Sequence, residues 1–345
     1  MGADMTMDQE LQATIAALVH EGKGILAADE SLPTIAKRFQ AIGLESNEEN
    51  RRSFRSLMLT APGLGEYLSG VILFEETLGQ KSRDGTPLPI VAARQGIVPG
   101  IKVDKGTTAL ANAPGDLVTQ GLDGLAERLR GYKAQGARFA KWREVYPITE
   151  RNPTSLGVAV NAQVLARYAA ICQEQGLVPI VEPEVLLDGD HTMERCSQVT
   201  ETVLRAVFQA LLEHKVTLEW MLLKPSMVLP GKDCSHKAGS EEIARETVKV
   251  LRRSVPAAVP SVNFLSGGQT PQQATANLNA MNVLFPRAPW ELSFSYARAL
   301  QQPVLDTWRG KNENVEAAQK ALCLRGKLNA AARKGQYRAD MEPTH

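Results

Sequence analysis

The chain has few of the residues that build disulfide frameworks or metal centres. Its 345 residues include 4 cysteines (Cys172, Cys196, Cys234 and Cys323) with no CxxC spacing. That spacing offers no disulfide framework and no zinc pattern, and it points to a reducing, cytoplasmic setting. The 5 histidines (His20, His191, His214, His236 and His345) show no ligand spacing, so neither a metal nor any other cofactor is expected. The net charge is only +1. Nucleic-acid and membrane-surface proteins want a basic excess, so neither partner is expected, although basic residues can cluster locally around an anionic substrate. No apolar run approaches the length that spans a bilayer. The N-terminus lacks the apolar core of a secretory signal. Gly2 and Thr6 match a loose myristoylation pattern that is short enough to arise by chance.

What is present is a large apolar complement. With 43% hydrophobic residues, the chain can bury about three quarters of its unfolded surface, as one large barrel or two smaller domains. Eight short apolar runs recur, at 24–28, 70–74, 98–101, 137–140, 177–181, 220–223, 261–265 and 290–294. Their starts lie roughly 30 to 45 residues apart, room for a strand, a loop and a helix each time. Amphipathic segments at 163–174, 199–212 and 241–253 carry helical spacing. Thr270-Pro271-Gln272-Gln273 reads as a helix start, and Ser240 as a second cap. No Ser/Gly-rich linker divides the chain. The expectation is one (β/α)8 TIM barrel spanning residues 1–345, with 338–345 a flexible tail. A doubly wound sheet would more often carry a Gly-rich fingerprint after its first strand, where this chain has Ala28-Asp29-Glu30-Ser31.

In such a barrel the active site lies at the carboxyl ends of the strands. There the sequence places Asp29, Glu30 and Ser31; Glu75 and Glu76; Lys102, Asp104 and Lys105; Lys141, Trp142 and Arg143; Glu182 and Glu184; Lys224; Ser266, Gly267 and Gly268; and Ser295, Tyr296 and Arg298. Lys224 ends an apolar run closed by Pro225, so it is expected to be half-desolvated on a rigid support. Desolvation lowers a lysine pKa, and free amine attacks carbonyls to give Schiff bases. Lys141, two strands earlier, is expected to approach Lys224 and to help depress the pKa of one of the pair. Glu182 and Glu184 share one side of an extended segment, where a carboxyl can act as general acid and base. Ser266-Gly267-Gly268 and Arg298 suit a phosphate. Ser31, Lys37, Arg38, Lys102 and Arg143 form a second anion site. Two anion sites flanking an amine suggest a small bisphosphate sugar.

The segments GKGILAADES, GVILFEET, GIKVDKG, TQGLDGL, FAKWR, VPIVEPE, DGDH, LLKPSMV, NFLSGGQ and FSYARAL resemble class I (Schiff-base) fructose-bisphosphate aldolase over nearly the whole chain. The resemblance implies reversible cleavage of fructose 1,6-bisphosphate to dihydroxyacetone phosphate and glyceraldehyde 3-phosphate. It implies Lys224 as the Schiff-base lysine, Glu182 as acid/base with Glu184 beside it, and Lys141 stabilising negative charge. Asp29 is implied as base for the C4 hydroxyl. Ser266, Gly267 and Arg298 would hold the C1 phosphate; Ser31, Lys37, Arg38, Lys102 and Arg143 would lie toward the C6 phosphate. A homotetramer is also implied.

Two departures stand out. Ala297 replaces a glycine expected in the animal enzymes. The chain also ends without their terminal tyrosine, leaving Tyr337, His345 or another route for enamine protonation. The alternatives are a metal-dependent aldolase, another Schiff-base barrel such as a transaldolase or a deoxyribose-phosphate aldolase, or a binding protein on the same fold.

Overall fold

In the computed structural model, which describes residues 6–343, each of the eight apolar runs overlaps a strand of one closed barrel. Gly2 and His345 lie outside the described residues. The strands are β1 (Gly24–Ala28), β2 (Leu68–Leu73), β3 (Val98–Lys102), β4 (Phe139–Tyr146), β5 (Val178–Val185), β6 (Leu222–Leu223), β7 (Ser261–Phe264) and β8 (Glu291–Tyr296). Each pairs in parallel with its sequence neighbours, and β8 closes on β1 with Ile25 opposite Ser295. Parallel neighbours need crossover connections, which here are mostly helical and pack around the barrel.

Side-chain alternation divides the core in two. Ile25, Ala27, Ile72, Phe139, Val178, Ile180 and Leu222 form an inner cluster, joined by Leu11 and Leu18 of the helix Met7–Leu18. The intervening Leu26, Ala28, Val71, Leu73, Ala140, Trp142, Val181 and Leu223 face outward into the larger layer shared with the helices. Phe139 fills the inner floor because Gly100 leaves room; a Cβ there would lie 2.3 Å from its ring.

Several expectations are corrected. β4 and β5 run past the apolar runs to Tyr146 and Val185, so Lys141, Arg143, Glu182 and Glu184 are strand residues. Conversely, Leu218–Trp220 is a 3-10 turn, which leaves β6 only Leu222–Leu223. The cap of the helix Ser240–Ser254 is Gly239, with Ser240 already helical. The Thr270 capping box is present: Thr270 accepts from Gln273 N at 3.1 Å and Gln273 accepts from Thr270 N at 3.0 Å. Among the described residues one helix, Ser155–Glu174, is long and apolar enough to cross a membrane by length and composition. Here it is a barrel helix, with Val158, Ala162, Leu165, Ala166, Ala169 and Cys172 buried. Arg167 and the interspersed Asn161 and Gln163 had masked its overall apolarity. Over residues 338–343, read from sequence as flexible, a 3-10 turn (Ala339–Met341) leads to Glu342, which pairs with buried Arg325 at 2.7 Å.

Candidate active site

The inward-facing series continues up the strands from apolar to polar. Two residues beyond Ala27 is Asp29; beyond Phe139 come Lys141 and Arg143; beyond Ile180 come Glu182 and Glu184; beyond Leu222 comes Lys224. The apolar members fill the floor, and the charged members begin where the barrel opens. Those charged members line a cavity of about 420 Å³ that also includes Ser31, Arg38, Lys102, Ser266, Gly267, Ser295 and Arg298. That volume suits a small ligand.

Glu182 sits between the two lysines. Its Oε1 is 3.1 Å from Lys224 Nζ and its Oε2 is 3.2 Å from Lys141 Nζ. Lys141 also lies 2.7 Å from Asp29 Oδ2. Lys141, Glu182 and Lys224 are 3%, 4% and 3% exposed, so the cluster is held out of water. Burial works against the Lys141 ammonium, but Asp29 and Glu182 outweigh it and hold its pKa above the ordinary lysine range. The expected like-charge depression therefore does not operate on Lys141, because a carboxylate separates the two ammoniums. Asp29 is raised by burial, yet Lys141 and Lys224 bring it down to about 2. Glu182 Oε2, despite its ion pair, makes no aligned hydrogen bond and keeps lone-pair capacity.

The anion-binding candidates fall around this centre. Glu184 does not reach the lysines; it is engaged by Arg143 Nε. Lys102 folds back onto Asp104 at 2.5 Å. Arg38 donates to Glu30 at 2.5 Å, and Glu30 is also paired with Arg55, which is only 3% exposed. Burial opposes the Glu30 carboxylate, but Arg55 and Arg38 keep its pKa lowered. Ser266 is buried and Gly267 borders the cavity; a Cβ on Gly267 would come within 3.1 Å of Glu184 Oε1. Arg298 begins the helix Arg298–Trp308 with its side chain exposed. Ala297 lines the same cavity at φ −99, a backbone that needs no glycine.

Lys37 is not part of the site. It lies on the outer face of the helix Leu32–Gln40, in a separate hollow with Pro33, Gln40 and Leu44. Consecutive helical residues point about 100° apart, so Arg38 facing inward turns Lys37 outward. Glu75 pairs with Lys105, Glu76 with Arg51, and Trp142 with Glu144, all away from the lysines. Tyr296 donates to Ala274 O on the outer side. Tyr337 is outside the cavity, donating to Glu342 Oε1 at 3.0 Å. Burial and Glu342 push its hydroxyl up to about 12.

Sequence reading missed Arg55, whose only signal is a charge inside the buried stretch 54–59. Ser295 was placed at the mouth without a role; its buried hydroxyl borders the cavity without a protein partner. Among the described residues, no three His, Cys, Asp or Glu side chains are grouped to hold a metal.

Comparison with known proteins gives one consistent result. The family model for fructose-bisphosphate aldolase class-I, a glycolytic family, matches residues 10–345. The chain is 56% identical over 331 residues to cytosolic fructose-bisphosphate aldolase 6 of Arabidopsis thaliana, covering 96% of this chain and 92% of that protein. It is 56% identical over 331 residues to the fructose-bisphosphate aldolase of Dictyostelium discoideum, covering 95% and 92%. A solved structure of Plasmodium falciparum fructose-bisphosphate aldolase, in complex with TRAP and a small-molecule inhibitor, superposes with a TM-score of 0.95. Its identity is 51%, covering 98% of this chain and 97% of that one.

Proposed function

Because the chain belongs to the class I fructose-bisphosphate aldolase family, we propose that Lys224 forms the Schiff base of that family's reaction. The chain is a lyase of glycolysis that reversibly cleaves fructose 1,6-bisphosphate into dihydroxyacetone phosphate and glyceraldehyde 3-phosphate. The observation that carries the assignment of residues is the buried array Asp29–Lys141–Glu182–Lys224.

An ammonium cannot attack a carbonyl, so Lys224 must first lose a proton. Glu182, 3.1 Å away, accepts it. The amine then adds to C2 of the sugar. Glu182 returns the proton to the carbinolamine hydroxyl, which leaves as water and gives the iminium. Asp29 accepts the C4 hydroxyl proton as the C3–C4 bond breaks, and the bonding electrons pass to the iminium to form the enamine. Asp29 is ionised and can therefore accept a proton, but its pairing with Lys141 makes it a weak base in the empty site. A substrate hydroxyl entering between them loosens that pairing. Lys141 stays charged and stabilises negative charge that develops on oxygen.

The phosphate positions are assigned by the family resemblance. Ser266, Gly267 and Arg298 hold the C1 phosphate. Ser31, Arg38, Lys102 and Arg143 lie toward the C6 phosphate, and Glu184 orients Arg143. Lys37 has no part in this reading. The whole chain acts as one barrel domain. A cytoplasmic location agrees with cytosolic relatives such as the Arabidopsis protein, and a homotetramer is proposed, to be read by light scattering.

The test is borohydride reduction in the presence of dihydroxyacetone phosphate, followed by peptide mapping. The adduct is expected on Lys224. An adduct on any other lysine sinks the assignment.

A further inference from the structure

The protein has a second large cavity, of about 510 Å³, that shares no lining residue with the catalytic mouth. It lies on the outside of the barrel, between the helix Glu48–Leu59, the helix Leu88–Arg94 and the end of the helix Arg298–Trp308. Its two halves differ chemically.

One half is cationic. Arg52 is already neutralised by Glu49, through contacts of 2.8 and 2.6 Å. Arg83 and Arg94 interact with Glu49 and Asp84 only at longer range, without an ion pair. Arg83 donates only to a neutral amide, Asn312 Oδ1, at 2.7 Å. Among the described residues Arg94 makes neither an ion pair nor a hydrogen bond, and only acts on Asp84 at longer range. The single carboxylate in the lining, Asp84, is tied into its own turn, accepting from Ser82 Oγ at 2.6 Å and Thr86 N at 3.0 Å. Two guanidiniums free of direct ion pairs on one concavity match a phosphate dianion, which they can grip through several parallel N–H donors.

The other half is apolar and rigid. Trp308 is 3% exposed and stacks on Phe54 with ring centroids 5.5 Å apart. Leu57 is likewise only 4% exposed, so half-buried Val91 supplies most of the apolar surface open to the cavity, with little from Trp308 and Leu57. A sugar bisphosphate has no apolar face to cover it.

We propose that this cavity binds an organic phosphate monoester carrying a small flat apolar group, with the phosphate on Arg83 and Arg94 and the flat group over Val91, beside Trp308 and Leu57. The site is independent of the Schiff-base assignment.

The experiment titrates phenyl phosphate, with inorganic phosphate as reference, into the wild-type protein, Arg83→Gln/Arg94→Gln and Arg298→Gln by calorimetry. The double variant is expected to weaken phenyl phosphate at least about tenfold, as loss of charged hydrogen bonds requires. Its kcat and KM for fructose 1,6-bisphosphate stay at wild-type values, and Arg298→Gln keeps the phenyl phosphate site. Both arginines are exposed, so folding is preserved; Val91→Glu, which brings a carboxylate into the cavity, should abolish the same binding. Four results overturn the proposal. They are no phenyl phosphate binding to the wild type, an unchanged isotherm in the double variant, loss in Arg298→Gln alone, or inorganic phosphate binding as tightly as the phenyl ester.

Discussion

Replacing Glu182 by glutamine keeps the shape of the central side chain and removes its charge. In the wild-type array two ammoniums, on Lys141 and Lys224, face two carboxylates, on Asp29 and Glu182. The variant leaves one buried ammonium uncompensated. The penalty has a ceiling, because a lysine can shed its proton instead of staying charged. From an ordinary pKa of about 10.4, that costs about 4 kcal/mol at about pH 7.5 and about 2 kcal/mol at about pH 9. Unfolding entropy of about 2.1 cal/mol/K per residue amounts to about 0.7 kcal/mol/K over 345 residues. The melting point should therefore fall by up to about 5 °C at the lower pH and about 3 °C at the higher. The sign follows from linkage: the ammonium is disfavoured only in the folded variant, so the deficit is largest where the unfolded lysine is protonated and shrinks as pH rises. Activity should respond separately. Loss of the group that moves the proton should slow imine formation by about 10²- to 10⁴-fold, or about 3–5 kcal/mol of barrier. Scanning calorimetry at matched scan rates reads the first effect. Rapid-quench borohydride trapping with dihydroxyacetone phosphate reads the second. A stability deficit that does not change with pH, or an imine-formation rate within about threefold of wild type, far short of that range, would refute the reasoning.

Three further outcomes are expected. Arg38→Ala should raise KM for fructose 1,6-bisphosphate by about 10- to 100-fold, the value of a charged hydrogen bond, while Lys37→Ala leaves it unchanged; equal effects in steady-state kinetics would contradict the placement of the two side chains. Glu144, wholly buried beneath the hairpin of Thr107–Ala109 and Leu117–Thr119, is pushed up by desolvation to about 7 from 4.5. A raised carboxyl pKa means that the fold binds the extra proton, so stability should fall by about 3 kcal/mol as pH rises from 4.5 to 7, and Glu144→Gln should flatten that slope in denaturant titrations. Tyr337→Phe should leave exchange of the dihydroxyacetone phosphate C3 proton unchanged, because its hydroxyl is held by Glu342 outside the cavity; a slowed exchange measured by NMR would bring Tyr337 back as the proton donor.

The barrel was legible because strands buried on both faces read as apolar runs, and each of the eight overlaps a barrel strand. Their ends were less legible. Lys141, Arg143, Glu182 and Glu184 look like loop residues by hydropathy, yet they extend β4 and β5, since their inward faces meet a polar cavity. The motif residues Lys224, Glu182, Lys141 and Asp29 could be named from sequence. Their arrangement could not: one carboxylate between two ammoniums reverses the expected direction of the Lys141 pKa. Glu184 was expected to join the proton chemistry, but the register that sets Arg143 opposite Glu182 also brings Glu184 to the arginine.

Local pattern by itself determined the strands, the Thr270 helix start and the chemistry of the strand ends, because periodicity and capping depend on neighbours a few residues away. Tertiary structure alone decided which charges meet. Asp29 and Lys141 are 112 positions apart, and closure of the barrel brings them to 2.7 Å. Lys37 and Arg38 are adjacent, and helical geometry sends them to different sides. Burial and partner distance govern ionisation, and both are properties of the closed barrel rather than of any segment of the chain.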